Sequence, residues 1–336
     1  MTGRVAALGE LLLRLSPVGK RLIVQSQAMD VEVGGAEANV LAGLAALGHR
    51  ATLISRVPDS PLGSLATATL RARGVDTRHV EPGSGRMGLY FCEPGQGRRA
   101  SAIIYDRQDS AFARLRVDDV DLARALEGAD LFHVSGVTPA LGEAHAELTI
   151  EAVQTARRVG LTVSFDCNFR AQLWASSTQD PVAILREIVN EVDILFGNHL
   201  DVTLLTGREF SGDGRQRRRD AAECVFAEFP RLRLMASTAR HVVDSNHHRI
   251  SARVDLRDVH EETEEIAVSD IVDRIGSGDA FAAGVLHEWL SDAEPREIAR
   301  TGLALCVLKH GLPGDMSCFG EAEIASFWSD VRDVRR

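Results

Sequence analysis

Short apolar runs alternate with longer stretches of helical periodicity along most of this chain, and that alternation constrains the fold more than any other feature. "VAALGELLLRL" (5–15) reads as a first buried strand, followed by the loop "SPVGKRLIVQSQAMDVEV". In "GGAEANVLAGLAALG" (34–48) a turn leads into a helix with Val40, Leu44 and Leu47 on one face and Gly48 as its stop. "RATLISRV" is the next strand, and "PLGSLATATLRARG" the next helix, closed by Gly74. The cycle repeats through "ADLFHVSG", "AHAELTIEAVQTARRVG", "LTVSFDCN" and "VDILFGN", with a further helix around Val202. Such a sequence predicts an α/β fold with a mostly parallel central sheet flanked by helices on both faces.

One region breaks the cycle. Within 85–111, "MGLYFCE" and "SAIIYDR" read as strands joined by the turn "PGQG", with no helix between them. A hairpin follows. The pattern leaves two placements open: a small β-lid over the active edge, or an antiparallel edge on the main sheet. The segment "GREFSGDGRQRRRDAAE" reads as a surface loop leading into a helix, and its basic run as a solvated turn.

The chain has 336 residues and a net charge of −10, which argues against a nucleic-acid partner but not against a small anionic substrate. Five cysteines without short paired spacing fit a reducing compartment. No apolar run approaches membrane-spanning length, and the N-terminus lacks a secretory pattern. A soluble cytoplasmic protein is expected.

Chemistry concentrates in "DIVDRIGSGDAFAAG" (270–284). The preceding "EIAVSDIVD" alternates toward a short strand. Ala280 to Leu290 is helical, and Asp279 lies at the helix start. Gly276, Ser277 and Gly278 can point successive amides into one concavity at a helix N-terminus, which makes an anion site. Asp279 beside it can accept a proton. The same pattern also arises where a helix simply packs closely on a sheet. No Walker A loop is present, and no early strand carries G-x-G-x-x-G.

This segment, with "GGAEANVLAGLAALG", resembles the two signatures of the ribokinase-like, or PfkB-type, sugar kinases, in the right order and distance. The resemblance covers nearly the whole chain. "GELLLRLSP", "GLYFCEPGQGRR", "YDRQDSA", "HVSGVTPAL", "DCNFRAQLW" and "LKHGLPGD" resemble the 2-keto-3-deoxygluconate kinases more narrowly. The resemblance implies a single ribokinase-like domain over 1–336, with a lid from about 14–34 and 85–111, and a homo-oligomer. It implies ATP and Mg2+ as cofactors. Some relatives are activated by a monovalent cation, and the sequence leaves that open here.

Roles are implied position by position. Asp279 looks like the base, and Gly276, Ser277 and Gly278 like the anion hole. Gly35 looks like a close-approach position beside the sugar. Asn39, Tyr90, Tyr105 and Asp166 look like partners of sugar hydroxyls or their neighbours. Arg107 and Arg170 resemble the pair that grips an acid, a task suited to planar guanidinium groups. Asn198 and Asp201, in "GNHLD", stand where the family orders water on magnesium, although such residues are also common helix caps. Thr238 and Arg240 approach phosphate, while Lys309 and Gly311 flank the nucleotide pocket. His247 and His248 read as hairpin residues, not metal ligands. The implied reaction is ATP-dependent phosphorylation of 2-dehydro-3-deoxy-D-gluconate. A related keto-sugar acid, a ketose such as fructose, and a non-catalytic sugar-binding role remain alternatives.

Overall fold

The computed structural model describes residues 2–175, 179–212 and 214–329. In chain order the elements are β1 (Arg4–Leu8), β2 (Leu12–Pro17), β3 (Met29–Gly34), α1 (Ala36–Ala46), β4 (Arg50–Pro58), α2 (Pro61–Ala72), β5 (Val75–Gly83), β6 (Gly88–Glu93), β7 (Ala102–Asp106), α3 (Leu122–Ala125), β8 (Leu131–Ser135), α4 (Glu143–Arg158) and β9 (Thr162–Asp166). They continue with α5 (Ala171–Trp174), α6 (Pro181–Val189), β10 (Ile194–Phe196), α7 (His199–Thr206), α8 (Gly214–Glu228), β11 (Leu234–Asp244), β12 (His247–Asp255), β13 (His260–Glu262), β14 (Ile266–Val268), α9 (Ser277–Leu290), α10 (Pro295–Lys309) and α11 (Glu321–Phe327).

The main sheet runs β13-β12-β11-β10-β9-β8-β1-β4-β5, with β14 paired to β12. From β11 to β5 every neighbouring pair is parallel. Both faces are covered, and strand alternation shows it. Val5 and Ala7 enter one core with α1, α9 and α10, while Ala6 and Leu8 enter the other with α4, α6 and α8. The expected α/β architecture is present.

The hairpin at β6–β7 does not join this sheet. It forms a second sheet, ordered β3-β2-β6-β7. The N-terminal apolar run is therefore two strands in two sheets, not one. The chain leaves the main sheet after Leu8, where the Gly9 amide donates to the Ile54 carbonyl at 3.2 Å, and re-enters order in the small sheet at Leu12. Two other expectations are corrected. "EIAVSDIVD" is strand only over β14, because Asp270 takes a positive φ of 54° and turns the chain. The basic run lies inside α8, where Arg218 pairs with Glu262 and Arg219 with Asp255 and Glu223, so it is anchored and not a solvated turn.

Candidate active site

The carboxyl ends of β1, β8, β9, β10 and β11 share one rim of the sheet, the edge where open α/β sheets place their sites. A cleft of about 290 Å³ opens there, lined by Asp166, Asn168, Arg170, Asn198, Asp201, Thr238 and Gly278 among others. Larger grooves lie beside Arg233 and Trp289, about 560 Å³, and along Arg4, Arg50 and Arg124, about 650 Å³. Neither is lined by any of the site residues expected from the sequence, so the smaller cleft is the candidate site.

The start of α9 forms one wall. Gly276 has a φ of 79°, and a β-carbon there would lie 1.8 Å from the Asp315 carbonyl oxygen. Only glycine lets these two backbones meet. No side chain caps α9. The first-turn amides of Gly278 and Asp279 have no acceptor within the helix, and the helix dipole favours an anion beside them. The Ser277 side chain is buried against the Cys306 thiol and its amide donates to the Arg274 carbonyl at 3.3 Å, so this serine, expected as an anion-hole donor, is already engaged, and Gly278 and Asp279 carry the open amides.

Asp279 sits in the first turn of α9. Its side chain keeps some surface, yet protein crowds the carboxylate closely enough that desolvation pushes its pKa up to about 7. The Asp315 and Glu37 charges add to the rise, and Asn39 and Arg170 oppose it. Asn39 Nδ2 donates to Asp279 Oδ2 at 2.6 Å, while Asn39 Oδ1 is buried without a partner. Burial likewise raises Asp166 to about 8, with Asp279 and Asp201 as further causes. Burial also raises Asp201.

The other candidates fall in several places. Asn198 and Asp201 form a reciprocal cap on α7: Asn198 Oδ1 accepts from the Leu200 amide at 2.8 Å, and Asp201 Oδ2 from the Asn198 amide at 2.7 Å. Thr238 lines the cleft on β11. Arg240 follows two residues on. Desolvation and the nearby Arg274 lower its pKa, and neither arginine has an ion-pair partner among the described residues. Arg170 is exposed at the N-terminus of α5, also without such a partner. Lys309 is fully buried, with Nζ donating to the Leu312 carbonyl at 3.2 Å, and it does not line the cleft. Gly311 is exposed in the turn that closes α10.

Three lid expectations meet competing contacts. Arg107 binds a carboxylate of the protein's own: its Nε donates to Glu10 Oε2 at 2.8 Å, and Ser110 Oγ holds the other Glu10 oxygen at 2.5 Å. Tyr90 is buried and its hydroxyl donates to Asp315. Tyr90 and Tyr105 are cross-strand partners with ring centroids 5.7 Å apart. Gly35, at φ 154°, is required by Glu10, whose carbonyl would lie 2.2 Å from a β-carbon.

Sequence reasoning missed the charges beneath the site. Arg14 on β2 is buried, with Nη2 2.6 Å from Asp273 Oδ2 and Nη1 2.9 Å from Asp315 Oδ1. Removing one partner of such a buried pair costs roughly 3–5 kcal/mol. Glu37 is buried and accepts from the Ser135 amide at 2.9 Å and the Ser135 hydroxyl at 2.7 Å. The available signal was a lone charge within an apolar or small-residue run, as in "LLLRL" and "GGAEANV".

Comparison with known proteins now decides the family. The profile of the pfkB family carbohydrate kinases matches residues 2–319. The chain belongs to the PfkB family of carbohydrate kinases. It is 32% identical over 327 residues to a 2-dehydro-3-deoxygalactonokinase of Haloferax volcanii, covering 96% of each chain. It is 30% identical to a 2-dehydro-3-deoxygluconokinase of Thermoproteus tenax, covering 93% of this chain and 89% of the other. The crystal structure of a 2-dehydro-3-deoxygluconokinase from Thermotoga maritima superposes with a TM-score of 0.92 at 33% identity, over 97% and 98% of the two chains. This PfkB kinase is thus an ATP-dependent sugar kinase, and PfkB kinases use ATP with Mg2+.

Proposed function

We propose that this kinase transfers the γ-phosphoryl group of ATP to the C6 hydroxyl of 2-dehydro-3-deoxy-D-gluconate. The observation that carries the reading is a cleft lined by Gly278 of the uncapped α9 start, the desolvated Asp166 and Asp201 and the unpaired guanidinium of Arg170, with Asp279, raised to about 7, next to Gly278 in the chain. Asp279 accepts the hydroxyl proton as the oxygen attacks phosphorus. A base with this pKa is half deprotonated near neutrality, close to its best working point. Asn39 holds the Asp279 carboxylate, and its free Oδ1 suits a sugar hydroxyl. The open first-turn amides of Gly278 and Asp279 receive the charge that spreads over the phosphoryl oxygens. Arg240 and Arg274, lacking carboxylate partners, suit the nucleotide phosphates, and Thr238 lies beside them on β11.

Arg170 reads the substrate carboxylate. Arg107, already balanced by Glu10, instead braces the lid over the sugar together with Tyr90 and Tyr105. Asp166 and Asp201 suit magnesium carried on the nucleotide. Both are desolvated carboxylates, the Asp201 charge raises Asp166, and a divalent cation relieves that repulsion. Bound there, magnesium neutralises phosphate charge. Among the described residues no group of three or more His, Cys, Asp or Glu is placed to hold a metal ion.

The outer lid face carries a cross-strand apolar row, Val31–Leu15–Phe91–Ile104, with Val31 and Ile104 exposed. It supports a homo-oligomer, which a light-scattering mass would test. All five thiols are unpaired, which suits the cytoplasm. Among the described residues no helix is long and apolar enough to cross a membrane.

The deciding experiment is ADP release on a panel of 2-dehydro-3-deoxygluconate, its C4 epimer 2-dehydro-3-deoxygalactonate, fructose and ribose. The highest kcat/KM should fall on the gluconate-derived acid. Preference for the epimer, the substrate named for the Haloferax relative, would move the assignment one stereocentre. Preference for a neutral sugar would overturn it.

A further inference from the structure

The loop that carries the anion nest is built around an internal cation. Asp273 lies three residues before Gly276. Its Oδ1 accepts from the Ile275 amide at 3.0 Å and its Oδ2 from the Gly314 amide at 3.2 Å, which ties the nest loop to the 314–315 turn. That turn presses the Asp315 carbonyl against Gly276. Two buried carboxylates, Asp273 and Asp315, therefore flank a nest that must receive an anion. Uncompensated, they would repel a triphosphate and each other. One guanidinium answers both. Arg14 reaches in from the lid, with Nη2 on Asp273, Nη1 on Asp315, and Nε donating to Ser16 Oγ at 2.8 Å. Tyr90, also on the lid, donates to the second Asp315 oxygen.

We infer that Arg14 is a positioning residue for phosphoryl transfer: its guanidinium neutralises Asp273 and Asp315, fixes the Gly276 turn, and couples the lid strand β2 to the nest. Arg14 touches neither substrate. It acts through the two loops it joins. The buried Lys309 adds positive charge near both carboxylates, but its ammonium donates to the Leu312 carbonyl and bonds neither of them, so Arg14 alone joins the two loops.

The inference rests on the reading that the nest holds the transferring phosphoryl group. Turnover by the unaltered enzyme tests that reading separately. In Arg14→Ala, kcat should fall about 100-fold, as expected when reacting groups are displaced by around an ångström. KM for the sugar acid should stay within about threefold of the parent. Millimolar guanidinium chloride, but not equimolar sodium chloride, should then restore much of the lost kcat. Purely structural support would not show this split or this rescue. A folded Arg14→Ala with kcat within about threefold of the parent, or one that guanidinium does not help, overturns the inference. Should Arg14→Ala fail to fold, the triple variant Arg14→Met with Asp273→Asn and Asp315→Asn removes the guanidinium together with both carboxylate charges it balances. Loss of kcat in that folded protein supports the role, and parental kcat overturns it.

Discussion

The two sheets of this kinase are stabilised in different ways. In the main sheet, parallel strands are buried on both faces, and one strand feeds two apolar cores. In the small sheet, the cross-strand row Arg14–Tyr90–Tyr105 lies on one face and the row Leu15–Phe91–Ile104 on the other. Leu13 and Val33 tie it to the main apolar core, and its polar joins to the rest of the molecule are charged: Arg14 to Asp273 and Asp315, and Arg107 to Glu10. Apolar packing is non-directional and tolerates local adjustment, whereas a buried ion pair holds one geometry and is harmed when either partner goes. The main sheet is thus a platform, and the small sheet, our proposed lid, shares part of its apolar core and adds a few named charges to fix its seat.

Substitutions can break or sharpen that contrast. The largest effect is expected on the platform side, at the base. Asp279→Asn should lower kcat by about 10³-fold, within the range for loss of a positioned general base. Its sugar KM should change little, measured by ADP release. For the unaltered enzyme, kcat/KM should fall as pH drops below about 7, because the carboxylate then holds its proton. A profile flat from pH 8 to 5.5 would remove Asp279 from the role.

Arg170→Ala should come next. KM for the sugar acid should rise about tenfold or more, the scale of a lost charge-assisted contact. Turnover of a neutral ketose, where detectable, should not suffer in proportion. An unchanged KM would shift acid recognition to the lid.

Glu10→Gln tests the lid directly. It keeps the shape of the side chain and removes the charge that balances Arg107. With the lid seat loosened, KM should rise several-fold, of order 1 kcal/mol in binding, while kcat holds better. A fall in KM would mean that Glu10 had been holding Arg107 back from the substrate.

The smallest effect concerns stability and belongs to the platform. His49, His145 and His310 are held neutral by burial, with pKa values lowered to about 4. Their folded pKa lies below the unfolded value near 6.5, so their contribution is complete above about pH 6.5 and is lost as pH falls toward 4. The Tm should decline across that window. His310→Gln should make the decline shallower.

The residues that were legible in the sequence share a local cause. Gly276 to Asp279 form a turn and a helix start within four positions, so spacing alone exposed the glycine turn and the carboxylate beside it, with an anion site as one of two readings. The alternation of strands and helices exposed the platform in the same way, since each βαβ unit repeats within a few tens of residues. The capping of α7 by Asn198 and Asp201 was likewise foreseeable as one of two readings, because both residues lie in one turn. The partners of the charges under the nest were not legible. Arg14 is 259 residues from Asp273 and 301 from Asp315 in sequence, and although its apolar run hints at burial, nothing local says which carboxylates it meets.

The sequence by itself determined the parallel α/β platform, the glycine turn and the carboxylate beside it, because backbone preference and hydrophobic period act over neighbouring residues. Only the tertiary structure decided which charges meet: that Glu10 balances Arg107, that Asn39 holds Asp279, and that one guanidinium serves two distant carboxylates. Coulomb energy in a desolvated interior depends on distances that long-range packing sets, and no stretch of chain contains those distances.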